Sequence, residues 1–179
     1  MLFLPLQHLE PVTQAIAAKV QDVVEVVPTD DSFVGNSANN VFDGGAGDDT
    51  FLLRFGDDTA TGGTGADEFK LDGRYLNDGD AHTLTDLNFG EGDTMVLRFF
   101  DTGAFNDGAD PLNHLSVANN GRTATFDSLE DIVEAHANGV MQASDAGDGS
   151  TLLTMPSGAD QMTIQLDSVL FSSLGIGAP

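Results

Sequence analysis

Aspartate and asparagine recur every nine residues between positions 31 and 67, and they are the residues of this chain whose types and spacing could do chemistry. The five positions are Asp31, Asn40, Asp49, Asp58 and Asp67. Carboxylate and amide oxygens are the ligands that hard cations prefer, and Ca²⁺ collects about six to eight of them. A fixed spacing of such oxygens therefore indicates repeated cation binding.

Glycine and apolar residues follow the same nine-residue period. The stretches Gly44–Leu52 (GGAGDDTFL) and Gly62–Lys70 (GGTGADEFK) both fit G-G-x-G-x-D-x-U-x, where U is a large apolar residue. Extending the frame gives five repeats, numbered 1 to 5: Val26–Val34, Gly35–Asp43, Gly44–Leu52, Leu53–Thr61 and Gly62–Lys70. Their eighth position is apolar throughout: Phe33, Phe42, Phe51, Ala60 and Phe69.

This pattern predicts a solenoid of short strands. Glycine permits tight left-handed turns. The Asp or Asn described above is the sixth residue of each repeat, and the residues after it form a strand whose central apolar residue faces inward. Nine residues span half a coil, so odd-numbered repeats stack on one side and even-numbered repeats on the other. The predicted fold class is all-β with minor α, a right-handed parallel β-roll with a core ladder of phenylalanines and Ala60 as a thin rung. Carboxylates stacked about 4.8 Å apart repel each other, and a cation between coils would offset that repulsion.

The composition restricts the partners of the chain. Six Lys and Arg stand against 29 Asp and Glu, a net charge of −23, which argues against nucleic acids and anionic membrane surfaces. No stretch of about 18 apolar residues is present, so we expect no transmembrane segment. There is no cysteine. Met1–Leu6 is apolar but lacks the basic flank and cleavage site of a signal peptide.

Catalytic motifs are missing from the sequence. The four histidines are far apart, so no pair flanks a glutamate as in a zinc protease. There is no G-x-S-x-G motif and no thiol nucleophile. We therefore expect a non-catalytic protein.

Residues Thr29–Lys70 resemble the RTX (hemolysin-type) calcium-binding repeat domain of type I secreted proteins, such as the C-terminal domain of serralysin proteases. The resemblance implies Ca²⁺ sites that join repeat n to repeat n+2. Each site would use the carbonyls of positions two and four and the Asp of one repeat. The carbonyls of positions one and three and the Asp of the other repeat would complete it.

Carried over to this chain, the resemblance implies three ligand sets. The best match is Gly45, Gly47 and Asp49 with Gly62, Thr64 and Asp67. A second set is Val27, Thr29 and Asp31 with Gly44, Ala46 and Asp49. A third, on the even side, is Asn36, Ala38 and Asn40 with Leu53, Phe55 and Asp58. We expect the third set to be weaker or deformed, because an amide and a non-glycine run replace the consensus there.

The register breaks after Lys70. Leu71–Leu76 is a six-residue insertion, and Asn77–Thr85 resumes the frame with His82 at the Asp position. The resemblance implies a closing site that includes Asp86 and Asp93, for about three to five Ca²⁺ ions in total. We interpret the isolated His82 as a hydrogen-bonding turn residue in preference to a metal ligand.

The flanks complete a division into three parts. Residues 1–25 are predicted to form an N-terminal capping helix, 26–100 the β-roll, and 101–179 an antiparallel β/α cap. The cap signals are an Asn120-Gly121 hairpin, a helix between Ser128 and Asn138-Gly139, and strands at Val140–Ala143, Thr151–Met155 and Met162–Leu166. The resemblance also implies a type I secretion signal in 101–179, read by the secretion machinery.

Three functions fit these features. The first is a secreted, non-catalytic module that folds when it binds Ca²⁺ outside the cell. The second is the C-terminal calcium-binding and secretion domain of a larger secreted protease, lipase or polysaccharide-modifying enzyme. The third is an extracellular or cell-surface adhesin or biofilm matrix protein, in which 101–179 would contact a glycan or another surface.

Overall fold

The computed structural model describes residues 27–75, 79–98, 116–118, 123–155 and 162–177. The predicted N-terminal helix lies outside these residues. Within them the chain is mostly β, and its single α-helix, α1, is Leu129–Ala137. The strands are β1 (Val27–Pro28), β2 (Ser32–Val34), β3 (Val41–Ala46), β4 (Thr50–Leu53), β5 (Thr59–Thr64), β6 (Glu68–Asp72), β7 (Ala81–Leu84), β8 (Thr94–Arg98), β9 (Ser116–Ala118), β10 (Thr123–Phe126), β11 (Gln142–Asp145), β12 (Ser150–Met155) and β13 (Met162–Leu170).

Strands β1 to β8 alternate between two mixed sheets, and the later strands add to one sheet or the other. One sheet has the order β1-β3-β5-β7-β13-β12-β11 and the other β2-β4-β6-β8-β10-β9. Strands of the repeats pair in parallel, and Phe33 lies beside Phe51 just as Phe51 lies beside Phe69. Each partner is 18 residues away, which is two nine-residue periods, so the arrangement is consistent with a β-roll-like fold.

The eighth-position residues form the core between the sheets. The rings of Phe33 and Phe51, and of Phe51 and Phe69, stack with centroids 5.0 Å apart. Phe42 faces this column from the other sheet at a tilted angle. Ala60 follows Phe42 in that sheet and is fully buried, as the sequence predicted for a thin rung.

Both sheets continue past the six-residue insertion. A 3-10 helix at Gly73–Tyr75 follows β6, and Ala60 then pairs with Leu84, 24 residues away. Phe69 pairs with Met95 at the next step. The chain thereby returns to the same two sheets, and Leu84 faces inward as predicted.

The C-terminal strands extend both sheets. Strands β9 and β10 form the predicted antiparallel pair and add to β8, while β13 lies parallel to β7 and pairs with β12. The predicted capping box is present, because Ser128 Oγ accepts from Asp131 N and the Asp131 side chain accepts from Ser128 N. No helix in the described residues is long and apolar enough to cross a membrane.

Two strand predictions in this region were inaccurate. Val140 and Met141 are not in a strand, because their N–H groups both donate to the Ala135 carbonyl at the end of α1, at 2.9 and 3.4 Å. Strand β11 therefore starts only at Gln142. Strand β13 runs four residues further than predicted, to Leu170, because a bulge lets Ser150 pair with that residue.

Candidate metal centre

The sixth-position aspartates of the odd-numbered repeats form a continuous ladder, here called the odd side. The N–H of Asp31 donates to Asp49 Oδ1 at 2.7 Å, and the N–H of Asp49 donates to Asp67 Oδ1 at 2.9 Å. The ladder ends at Asp93, whose Oδ1 accepts from Asp67 N at 2.9 Å. The chain reversals after β1, β3, β5 and β7 thus bring four acids, distant in sequence, into one row.

Each inner carboxylate of this row keeps one oxygen free. Asp49 Oδ2 and Asp67 Oδ2 are buried, and neither accepts a hydrogen bond from any residue that the structure describes. A Cβ added to Gly44 would overlap Asp49 Oδ2, and one added to Gly62 would overlap Asp67 Oδ2. The two oxygens therefore lie directly against glycine backbone, in room that any side chain would fill.

Backbone carbonyls crowd the same loops. A Cβ on Gly63 would overlap the Gly45 carbonyl oxygen, and one on Gly65 would overlap that of Gly47. A Cβ on Gly47 would lie 2.6 Å from the Thr29 oxygen. Because these glycines lack side chains, carbonyl oxygens of one coil approach the backbone of the next.

The last odd-side reversal is fixed by Asp86 and Asp93. Asp86 accepts from Gly62 N and Gly63 N at 2.8 and 2.7 Å. Asp93 Oδ2 accepts from Asn88 N at 2.8 Å. Both residues therefore lie at the odd side, where the sequence predicted a closing site, but their oxygens already hold hydrogen bonds.

The ladder on the even side has different members. Asn40 N donates to Asp58 Oδ1 at 2.9 Å, and Asp58 N donates to His82 Nδ1 at 3.3 Å. His82 occupies the step that an aspartate would take and accepts the same backbone hydrogen bond. This geometry agrees with a hydrogen-bonding role for His82, but the residue lies inside strand β7 and not in a turn.

Burial shifts the pKa values of these groups. Burial, together with the nearby carboxylates of Asp93, Asp49 and Asp86, raises the pKa of Asp67 to about 6 against the lowering effect of the Asp49 N–H. Burial raises the pKa of Asp58 to about 6 as well. It lowers the pKa of His82, which favours the neutral imidazole. The odd side is therefore a row of acids held close at an electrostatic cost.

No protein-family model matches the chain, and no curated protein sequence is significantly similar to it. One solved structure that resembles it is the AlgE6R3 subunit of the Azotobacter vinelandii mannuronan C5-epimerase. That protein is 19% identical, with 88% of this chain and 86% of that chain covered and a TM-score of 0.41. A likeness of that size assigns no function to this chain.

The odd-side residues fit a Ca²⁺ ion by their donor chemistry. Each predicted set combines two side-chain oxygens with four carbonyls, so it requires no cluster of three acidic side chains. No such cluster of His, Cys, Asp or Glu exists within the described part of the chain. The structure brings Asp49, Asp67, Gly45, Gly47 and Gly62 close together along the odd-side loops. That these residues act as Ca²⁺ ligands stays a prediction. The same holds for the other predicted odd-side ligands: Val27, Thr29, Asp31, Gly44, Ala46, Thr64, Asp86 and Asp93.

A second ladder, at the fifth position, was missed in the sequence. Asp30 Oδ1 accepts from Asp48 N and Asp48 Oδ1 from Ala66 N, at 3.0 and 2.9 Å. On the even side Asn39 Oδ1 accepts from Asp57 N at 3.1 Å. These bonds run opposite to those of the sixth position, so each coil is tied to the next in both directions. The signal was visible, since the fifth position is Asp or Asn in repeats 1 to 4.

Proposed function

We propose that the chain is a non-catalytic RTX-type module whose right-handed parallel β-roll folds when the odd-side loops bind Ca²⁺. The observation that carries this proposal is the pair of buried oxygens, Asp49 Oδ2 and Asp67 Oδ2, which have no hydrogen-bond donor among the described residues. A buried carboxylate oxygen without a partner costs free energy, and a cation is the partner that this donor set suits.

The chain's own residues set the linkage between binding and folding. Asp49 and Asp67 lie one full coil, 18 residues, apart in sequence, so their oxygens share a site only once β3 has paired with β5 and β4 with β6. Until then the acids repel and the chain favours extended states. A bound Ca²⁺ supplies the compensating positive charge, and its binding free energy therefore becomes folding free energy.

Export belongs to the same proposal. We propose that the chain leaves the cell unfolded by type I secretion, through a signal in residues 101–179, and closes in the higher free Ca²⁺ outside. The sequence has no cysteine, which supports this proposal indirectly, because bound calcium would stabilise the fold as disulfides do in many secreted proteins.

A calcium titration tests the proposal. Far-UV circular dichroism and light scattering of the 179-residue chain should show a gain of β signal and a contraction as free Ca²⁺ rises from EGTA-buffered levels to millimolar. Mg²⁺ at the same concentration should produce much less, because it demands a tighter octahedral shell. A chain equally folded in excess EGTA would contradict the proposal.

A further inference from the structure

We infer that cations bind on the odd side only, and that hydrogen bonds replace them along the even side. The third predicted set, Asn36, Ala38, Asn40, Leu53, Phe55 and Asp58, would then hold no ion. This inference rests on the proposed function and sharpens it, because it assigns calcium to one edge of the roll and a metal-free ladder to the other.

The first argument is the number of free acceptor atoms. Asp49 and Asp67 each keep an unpartnered buried oxygen. Asp58 keeps none, because Oδ1 accepts from Asn40 N at 2.9 Å and Oδ2 from Arg54 N at 3.3 Å. Asn40 has one oxygen, which accepts from Asn36 N at 3.0 Å. A cation here would have to displace hydrogen bonds already made within the loop.

The second argument is the space around the carboxylates. Gly44 and Gly62 begin repeats 3 and 5. Because neither has a side chain, the carboxylate of the aspartate in the same repeat lies directly against the glycine backbone. Leu53 begins repeat 4, and its side chain is fully buried in the core. The glycine nearest Asp58 Oδ2 is Gly35 of repeat 2, where an added Cβ would lie 3.0 Å from that oxygen, whereas one added at Gly44 or Gly62 would overlap the carboxylate oxygen there. The even-side carboxylate is therefore less closely fitted to glycine backbone than the odd-side carboxylates are.

The third argument is charge. The odd ladder consists of four aspartates, which need a cation to relieve their repulsion. The even ladder alternates an amide, one carboxylate and an imidazole: Asn40, Asp58 and His82. The nitrogen of a neutral imidazole accepts the backbone hydrogen bond that a carboxylate would accept, without adding a charge. The even ladder thus has one carboxylate where the odd ladder has four, and a cation would have less repulsion to relieve there.

Two further acids lie on the even side, outside this ladder. Asp57 Oδ1 accepts from Ala81 N at 3.0 Å, and Asp80 is largely buried and close enough for its charge to raise the pKa of His82 against the larger lowering by burial. Together with Asp58 and His82 they form no side-chain cluster able to hold a metal ion, which is equally true of the odd side among the described residues. They add negative charge near Asp58 without completing a site.

Matched substitutions at equivalent repeat positions test the inference. Asp49→Asn and Asp58→Asn remove one charge each from the sixth position of repeats 3 and 4. Isothermal titration with CaCl₂ should show that Asp49→Asn loses bound ions or weakens binding at least about tenfold, whereas Asp58→Asn stays within about twofold of the wild type. Loss of an ion in Asp58→Asn would overturn the inference. A wild type that binds no Ca²⁺ would instead defeat the proposed function.

A second measurement needs no variant. In the Ca²⁺-saturated wild type, trace Gd³⁺ should exchange into the cation sites and broaden nearby amide NMR signals. The amides of Asp49 and Asp67 should broaden first, and those of Asn40 and Asp58 should persist. Equal broadening on both sides would overturn the inference even if Asp58→Asn failed to fold.

Discussion

At the scale of single residues, the candidate site depends on side chains that are missing. Gly44 and Gly62 leave room for a carboxylate oxygen to lie against the backbone, and this room is what keeps Asp49 Oδ2 and Asp67 Oδ2 available to a ligand. Acidic residues alone would not create the site. The glycine and the aspartate five residues later act as one unit, which is why the two recur together.

Gly44→Ala should therefore destabilise the Ca²⁺-saturated protein. The new methyl group would overlap Asp49 Oδ2 and lie 2.6 Å from the Gly62 carbonyl oxygen. Overpacking of this kind costs about 1–3 kcal/mol of unfolding free energy, and the displaced carboxylate should also weaken Ca²⁺ binding. The matched control is Gly177→Ala, which meets no atom within 4 Å and should stay within about 0.5 kcal/mol. Urea unfolding in saturating Ca²⁺ measures both; equal stabilities would contradict this account.

The raised aspartate pKa values predict opposite pH responses with and without calcium. Folding raises the pKa values of Asp67 and Asp58 from 3.8 to about 6. A folded pKa above the unfolded one stabilises the fold fully below about pH 3.8, and this stabilisation is lost as pH rises through about 6. In EGTA, the β signal of the chain should therefore increase as pH falls from 7 to 4.

Calcium binding should respond to pH in the other direction, because a proton on Asp67 competes with the cation. The Ca²⁺ concentration at half-maximal folding should rise by about fivefold to tenfold between pH 7 and pH 5. Asp67→Asn should remove most of this dependence, while Asp58→Asn should retain it. A midpoint that is independent of pH would show that the odd-side acids do not ligate as ionised groups.

At the scale of secondary structure, the sequence determined the periodic part and left the rest open. The nine-residue frame placed β2, β4 and β6 and their inward phenylalanines, because one residue step would turn every side chain to the other face. It could not show that β13 lies parallel to β7, since no period connects them. That pairing joins positions 82 residues apart, and beside it Ser168 Oγ donates to the Leu87 carbonyl at 2.7 Å.

The even side illustrates the same limit for the site. The resemblance carried ligands onto Asn36, Ala38 and Asn40 by position, and position alone does not reveal hydrogen bonding. Asn36 N donates to Asn40 Oδ1 and Arg54 N donates to Asp58 Oδ2, and both hydrogen bonds depend on how each loop turns. Leu53 was visible as a departure from the consensus, but its burial in the core became clear only with the strands in place.

The phenylalanine column should hold the repeats together more strongly than any exposed contact. Phe51 is fully buried, and its ring stacks between those of Phe33 and Phe69. Phe51→Ala should cost about 3–5 kcal/mol of unfolding free energy in saturating Ca²⁺, because it leaves a cavity and breaks both stacks. Val34→Ala, at a side chain 54% exposed, should cost about 0.5 kcal/mol or less. Chemical unfolding compares the two; similar losses would mean that the column is not the core.

At the scale of the whole molecule, a net charge of −23 poses a problem that two mechanisms could solve. At 0.1 M, dissolved salt screens interactions between exposed charges that lie more than about 10 Å apart, whatever groups carry them. Ligation neutralises only the carboxylates that converge on a site. The odd-side geometry favours ligation, because its free oxygens are buried where mobile ions reach them poorly.

Sodium chloride and calcium should therefore separate compaction from folding. For 179 residues, the radius of gyration should be about 45 Å when unfolded and about 16 Å when folded. In EGTA, raising NaCl to about 0.5 M should contract the chain only part of the way and restore little β signal, because screening weakens repulsion without filling the sites. Millimolar CaCl₂ adds almost no ionic strength, yet it should complete both changes. Small-angle X-ray scattering measures the radius of gyration and circular dichroism measures the β signal. Full folding in NaCl alone would assign the effect of calcium to screening.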